Sequence, residues 1–87
     1  MNILKSNRQG KRFMVEIKGK LIHFGSDVGS TYIDHKDKQK RENYIARHKV
    51  REDWSKVNAG SLSRFLLWGD STSLDENIKQ YKKKFNL

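Results

Sequence analysis

His23, His35 and His48 stand among Asp34, Asp37 and a run of Lys and Arg, so they are the first residues to test for catalysis. A zinc site takes several converging nitrogen, oxygen or sulfur ligands. Asp34-His35-x-Asp37 is local and polar, but no second His follows at the helical spacing of H-E-x-x-H. His35, Asn43 and His48 suggest a His-Asn-His nuclease. The strand pair that should separate its two histidines is missing, because the interval reads as helix. Helix capping and surface exposure account for all three. Cysteine is absent, and no Ser occupies a strand-to-helix elbow of the form G-x-S-x-G. Gly25-x-x-x-Gly29-Ser30 lacks the Gly-Lys-Ser/Thr ending that grips phosphate and magnesium. These readings lead to the expectation of a protein that is not an enzyme and uses no metal, cofactor or small-molecule substrate.

The cations offer a better-supported chemistry. Lys40, Asn43, Arg47 and Arg51 recur at spacings of three and four, which set cations along one ridge of a helix. Lys38, Arg41 and Lys49 widen that face, and Lys11, Arg12 and Arg64 flank it in sequence. Such a surface meets phosphates without reading bases, and its affinity falls steeply with salt. Arg8 and Lys82-Lys83-Lys84 extend the basic contact. The plain alternative is a solvated helix face, with Glu42, Glu52 and Asp53 pairing locally. Trp54, Phe65 and Trp68 have the ring faces that single-strand binders stack on bases. In a chain this poor in aliphatic residues, their expected duty is the core.

Charge decides between these readings of the ridge. Across 87 residues, 19 Lys and Arg oppose 10 Asp and Glu, a net charge of +9. That excess on a small body favours polyanionic partners: nucleic acid first, with anionic lipid or an acidic protein as the alternatives. The hydrophobic fraction is 34% and the charged fraction 33%, which also resembles the composition of chains that fold only on a partner. Periodic apolar spacing favours a folded domain instead. Without cysteine there is no disulfide framework. No apolar run approaches the roughly 20 residues that span a bilayer. The opening MNILKSNRQGKR lacks the apolar core of a secretory signal, so an intracellular or virion-interior setting is expected.

The elements that must position these residues follow from periodicity. Residues 1–10 are polar and aperiodic, and read as a flexible basic arm before a single domain at 11–87. Phe13, Val15 and Ile17 alternate as a strand, Lys20 to Phe24 form a second, and Gly19 supplies the hairpin turn. Since a hairpin alone is marginal, either a short third strand at Thr31-Tyr-Ile33 or a packed helix is required. A helix is expected from about Asp37 to Trp54, capped by Asp34 or Asp37 and stopped by Asn58-Ala-Gly60. Ser61 or Ser63 then opens a short helix through Leu62, Phe65, Leu66 and Trp68. Ser73-Leu-Asp-Glu76 matches a capping box, and Leu74, Ile78, Tyr81 and Phe85 mark one face of a last helix. The fold class is therefore α+β: an N-terminal hairpin followed by about three helices. Its expected core is Phe13, Val15, Ile17, Leu21, Tyr44, Ile45, Trp54, Phe65, Leu66, Ile78, Tyr81 and Phe85.

The strings HFG, TYIDHKDKQKRENYIARHKVREDW, AGSLSRFLLW and SLDENIKQYKKKF carry a resemblance over about Lys11 to Phe85. They resemble small basic proteins of unknown function encoded by large double-stranded DNA viruses. Those proteins share a hairpin ending in Phe-Gly, a Tyr-(Ile/Leu)-Ala-Arg-His helix and a Gly-x-x-Ser-Arg-(aromatic)-Leu-Leu-Trp segment. This chain departs in having Asp70-Ser-Thr-Ser instead of an Asn-Lys-Pro-Ser type of turn, and a shorter joint between Trp54 and Gly60. The resemblance implies a viral origin and no catalytic residues. It also implies one of two roles, a genome- or transcription-associated protein or a minor capsid component cementing an acidic structural protein. A host-protein-binding inhibitor is a third class that the sequence leaves open.

Overall fold

The computed structural model describes residues 1–87 as a three-stranded antiparallel sheet followed by four short α-helices and one π-helical turn. The strands are β1 (Leu4–Lys5), β2 (Lys11–Ile17) and β3 (Lys20–Ser26), in the order β1-β2-β3. The hairpin turns through Lys18 and Gly19, both at positive φ. Phe13 lies opposite Phe24 and Val15 opposite Ile22, so one register carries the bulky residues of both strands to the helix-covered face. The helices are α1 (Tyr32–His35), α2 (Lys38–His48), α3 (Ala59–Leu62) and α4 (Leu74–Phe85). The π turn, Ser63–Leu67, continues directly from α3 and closes with the Trp68 amide donating to the Ser63 carbonyl at 3.1 Å.

The α+β class read from periodicity is the one observed, but several elements differ. The third strand is Leu4–Lys5, paired with Phe13 and Met14, so the segment expected to be a free arm carries the sheet edge. Thr31-Tyr-Ile33 is not a strand. Thr31 caps α1 instead, and Asp34 accepts from the Thr31 amide and hydroxyl at 2.8 and 2.9 Å. That local bonding outcompetes the β propensity of Tyr and Ile. Helix α2 stops at His48 rather than reaching Trp54, and turns fill the interval to Ser55. Asn58-Ala-Gly60 starts a helix where a stop was expected. The Asn58 side chain accepts from the Ser61 amide at 2.8 Å, and the Ser61 hydroxyl accepts from the Asn58 amide at 3.1 Å. Asn is a strong N-cap, and this reciprocal pair satisfies two donors that the helix start would leave open.

The core is smaller than expected and centred differently. Val15, Ile17, Ile22, Phe24, Leu62, Leu66, Leu67 and Tyr81 form the buried cluster, with Phe13, Phe65, Ile78 and Phe85 packed around it. Leu21, placed in the core from sequence, is 53% exposed because the register turns it to the outer face of the sheet. Ile45 and Trp54 are half-buried and lie outside the cluster. The π turn accounts for the Leu-rich centre. Its wider turn sets the consecutive residues Leu66 and Leu67, both fully buried, closer to one face than a 3.6-residue period does.

Asn77 fastens α4 to this turn. Fully buried, it donates to the Leu66 and Ser71 carbonyls at 2.9 and 2.8 Å and accepts from the Ser71 amide at 3.1 Å. Gly69 beside it has no room for a side chain, since a Cβ would lie 2.8 Å from the Asn77 amide and closer still to the Phe65 carbonyl. Ser73 caps α4 by accepting from the Glu76 amide, which is half of the capping box read from sequence. In urea unfolding, Leu66→Ala is expected to cost about 2–5 kcal/mol, as for other fully buried leucines, and Leu21→Ala about 0.5 kcal/mol or less.

Candidate nucleic-acid interface

Helix α2 carries the cations of the predicted ridge, and its attachment to the body determines where they point. Asp37 caps it by accepting from the Gln39 and Lys40 amides at 3.0 and 3.2 Å. Only Tyr44 of this helix is buried. Its ring stacks on Trp68 at 4.3 Å with 4° between planes, and His48 stacks on its other side at 4.2 Å. Burial pushes the Tyr44 hydroxyl pKa up. The second attachment is Arg41, whose Nε donates to the Trp68 and Gly69 carbonyls at 3.2 and 2.9 Å and whose Nη2 meets Asp70 at 2.8 Å.

Three arginines assigned to binding from sequence are therefore structural ties. Arg41 closes the end of the π turn, which leaves carbonyls without helical partners. Arg12 grips Asp34 with two parallel bonds, Nη1 to Oδ2 at 2.7 Å and Nη2 to Oδ1 at 2.8 Å, and so clips β2 to α1. Arg64 is half-buried, with its guanidinium 5.3 Å from the Trp54 ring centre and 5.0 Å from that of Phe65. Its Nη1 donates to the Trp68 carbonyl at 2.8 Å. Burial, and then the neighbouring Arg41 charge, lower its pKa. Periodicity cannot separate such cations from free ones, because their partners are carbonyls and carboxylates distant in sequence.

The remaining six residues divide by position. Lys40 and Arg47 line an open cleft of about 690 Å³ with Gly29, Ser30, Asn43 and Trp68. Lys11 lies on the other side of the Gly29–Ser30 loop. There a second cleft is lined by Lys5, Arg8 and Lys11, with Asp27 as its single acid. Both clefts reach Gly29, so Lys5, Arg8, Lys11, Lys40 and Arg47 border one connected surface around the loop. None of these five forms an ion pair; the four ion pairs of the chain use Arg12, Arg41, His48 and Lys56. Lys38 is exposed at the start of α2, while Lys49 and Arg51 are exposed in the turns after it. Those three do not line the connected surface. Arg51 leaves the ridge because the helix ends before it.

Sequence reasoning missed Lys5 and the Gly29–Ser30 loop. The loop lacks the Gly-Lys-Ser/Thr ending by which sequence would mark a phosphate site, and Lys5 belongs to the segment expected to be a free arm. The histidines are engaged separately. His23 bonds Ser6 at 2.7 Å, His35 Nδ1 accepts from the Asp37 amide at 2.9 Å, and His48 bonds Glu52 at 2.8 Å. No group of three His, Asp or Glu side chains converges, and no helix is long and apolar enough to cross a membrane. The two tryptophans belong to internal stacks: Trp54 meets the Phe65 ring edge-on and donates to Glu52 at 2.9 Å.

Residues 1–48 match a family of unknown function (DUF5754). No curated protein and no solved structure matches the chain. The match covers the sheet, α1 and α2, and with them all five cations of the connected surface.

The Arg12–Asp34 clip gives a pH-dependent test. The two guanidinium bonds, with the Thr31 donors, hold the Asp34 carboxyl well below the usual carboxylate range. A depressed carboxyl pKa contributes stability that is complete above the unfolded value near 4 and is lost as pH falls below it. Asp34→Ala is expected to cost about 1 kcal/mol at neutral pH, because the carboxylate is solvent-exposed and water screens its pairing with Arg12. In urea titrations, its difference from the wild type should shrink as the pH drops below about 4.

Proposed function

The chain belongs to the DUF5754 family of unknown function, and we propose that it binds the phosphate backbone of nucleic acid without reading base sequence. The observation that carries this reading is the surface around Gly29–Ser30, where five unpaired cations border connected clefts containing one acid. Unpaired cations are the groups a polyanion engages, because binding breaks no internal ion pair and releases condensed counterions. The net charge of +9 adds long-range attraction, which speeds encounter at low salt. A cationic surface of this kind positions a strand without selecting its bases. The resemblance of its strings to small basic proteins of large double-stranded DNA viruses suits a role on a viral genome.

Fluorescence anisotropy with labelled single-stranded and duplex DNA tests the reading. With about five phosphates neutralised, log K against log salt should fall with a slope of about −4, roughly a 250-fold loss between about 50 and 200 mM. Sequence changes in the probe should leave the affinity within about threefold. Failure to bind either probe at low salt would contradict the proposal.

A second reading, a minor structural component that cements larger subunits, draws on a different surface. The outer face of the sheet presents Leu4 and Leu21, 50% and 53% exposed, with Met14 paired to Leu4 between them. Under that reading, the protein stays with nuclease-treated particles at a fixed stoichiometry. Under nucleic-acid binding, nuclease releases it.

A further inference from the structure

The cleft between the Gly29–Ser30 loop and α2 has a property that a general basic surface does not. It brings several free donors together with no carboxylate among them. The Gly29 and Ser30 amides take part in no hydrogen bond within the chain. Asn43 uses its Oδ1 to accept from Gln39 at 3.1 Å, which leaves its Nδ2 hydrogens free. Lys40 and Arg47 follow at the spacing that puts them beside Asn43 on one helix face, and no Asp or Glu lines the cleft. His35 borders it as well. Because its Nδ1 accepts the Asp37 amide, its ring proton sits on Nε2, which is buried and has no acceptor.

The loop supports the same chemistry. Gly29 has φ of +78°, a left-handed conformation that a side chain would disfavour, and nothing lies within 4 Å of where its Cβ would be. Left-handed residues in turns help to form the backbone nests that hold anions with successive amides. Arg47 contributes a planar fork that matches two oxygens of a tetrahedral anion, and Lys40 adds a mobile point charge.

We propose that this cleft is a discrete phosphate subsite, in which the Gly29 and Ser30 amides, Asn43, Lys40 and Arg47 together hold one phosphate group. It rests on the nucleic-acid reading only for the source of that phosphate, a strand rather than a small phosphorylated molecule. The surrounding cations, Lys5, Arg8 and Lys11, then guide neighbouring phosphates. Affinity is concentrated at one point instead of being spread evenly over every exposed cation.

The test compares two double variants of equal charge. Lys40→Gln/Arg47→Gln removes the cleft cations, which are exposed and unpaired, so the fold should persist. Lys79→Gln/Lys83→Gln removes two exposed cations of α4 that line none of these clefts. Binding is read with a labelled oligonucleotide, with inorganic pyrophosphate and with polyglutamate. The cleft pair should weaken oligonucleotide binding about tenfold or more, and the α4 pair about threefold or less. Pyrophosphate binding should be lost only in the cleft pair. Equal losses in both pairs, or polyglutamate binding as tightly as the oligonucleotide, would overturn the subsite. Pyrophosphate binding through the cleft without oligonucleotide binding would uphold the subsite and remove the nucleic-acid reading.

Discussion

Helix α2 is fastened to the rest of the molecule at Trp68, Gly69 and Asp70. The Tyr44 ring lies flat against the Trp68 ring, and Arg41 binds the carbonyls of Trp68 and Gly69. Both contacts depend on the π turn, which delivers Trp68 out of the leucine core at the correct height and leaves carbonyls for Arg41. Gly69 must follow with no side chain, because Asn77 and the turn fill that space. The orientation of Lys40, Asn43 and Arg47 therefore follows from how five residues wind between Ser63 and Leu67. A helix this polar would not stay ordered on its own propensity, since short isolated helices are marginal in water. Stacking of its single buried residue, Tyr44, and the guanidinium bonds of Arg41 hold it in place.

Cation identity does not reveal cation duty. Arg12, Arg41 and Arg64 each meet internal acceptors, whereas Lys5, Arg8, Lys11, Lys40 and Arg47 meet none. All three ties are arginines, although Arg8 and Arg47 are arginines left free. A guanidinium presents a fixed fork that satisfies carbonyls and carboxylates at once and is weakly hydrated, so it survives partial burial. Lysine keeps its strongly hydrated charge in water and is left on the surface. The excess of basic residues thus serves two ends, with arginines tying together a core short of aliphatic groups and the remaining cations creating a positive surface.

What was legible in the sequence followed regular periods and short-range chemistry. The hairpin showed through the alternation of Phe13, Val15 and Ile17, and α4 through Leu74, Ile78, Tyr81 and Phe85 behind Ser73. The ridge of Lys40, Asn43 and Arg47 was legible for the same reason. Irregular backbone was not. The π turn breaks the 3.6-residue period, so Leu67 was missed and Leu66 was found without its neighbour. At Thr31 and Asn58, side-chain caps started helices where residue type suggested a strand and a stop. The Gly29–Ser30 loop carries its donors on the main chain, which residue identity does not display.

The surface around Gly29–Ser30 is the one expected to meet phosphate. Chemical-shift mapping on the isotope-labelled full chain, titrated with a short unlabelled oligonucleotide at low salt, tests this most directly. The predicted result is a set of shifted amides at Gly29 and Ser30, along Lys40 to Arg47, and at Arg8 to Lys11. Shifts confined to α4 or to the outer sheet face around Leu4 and Leu21 would contradict it, as would a spectrum that does not change at all.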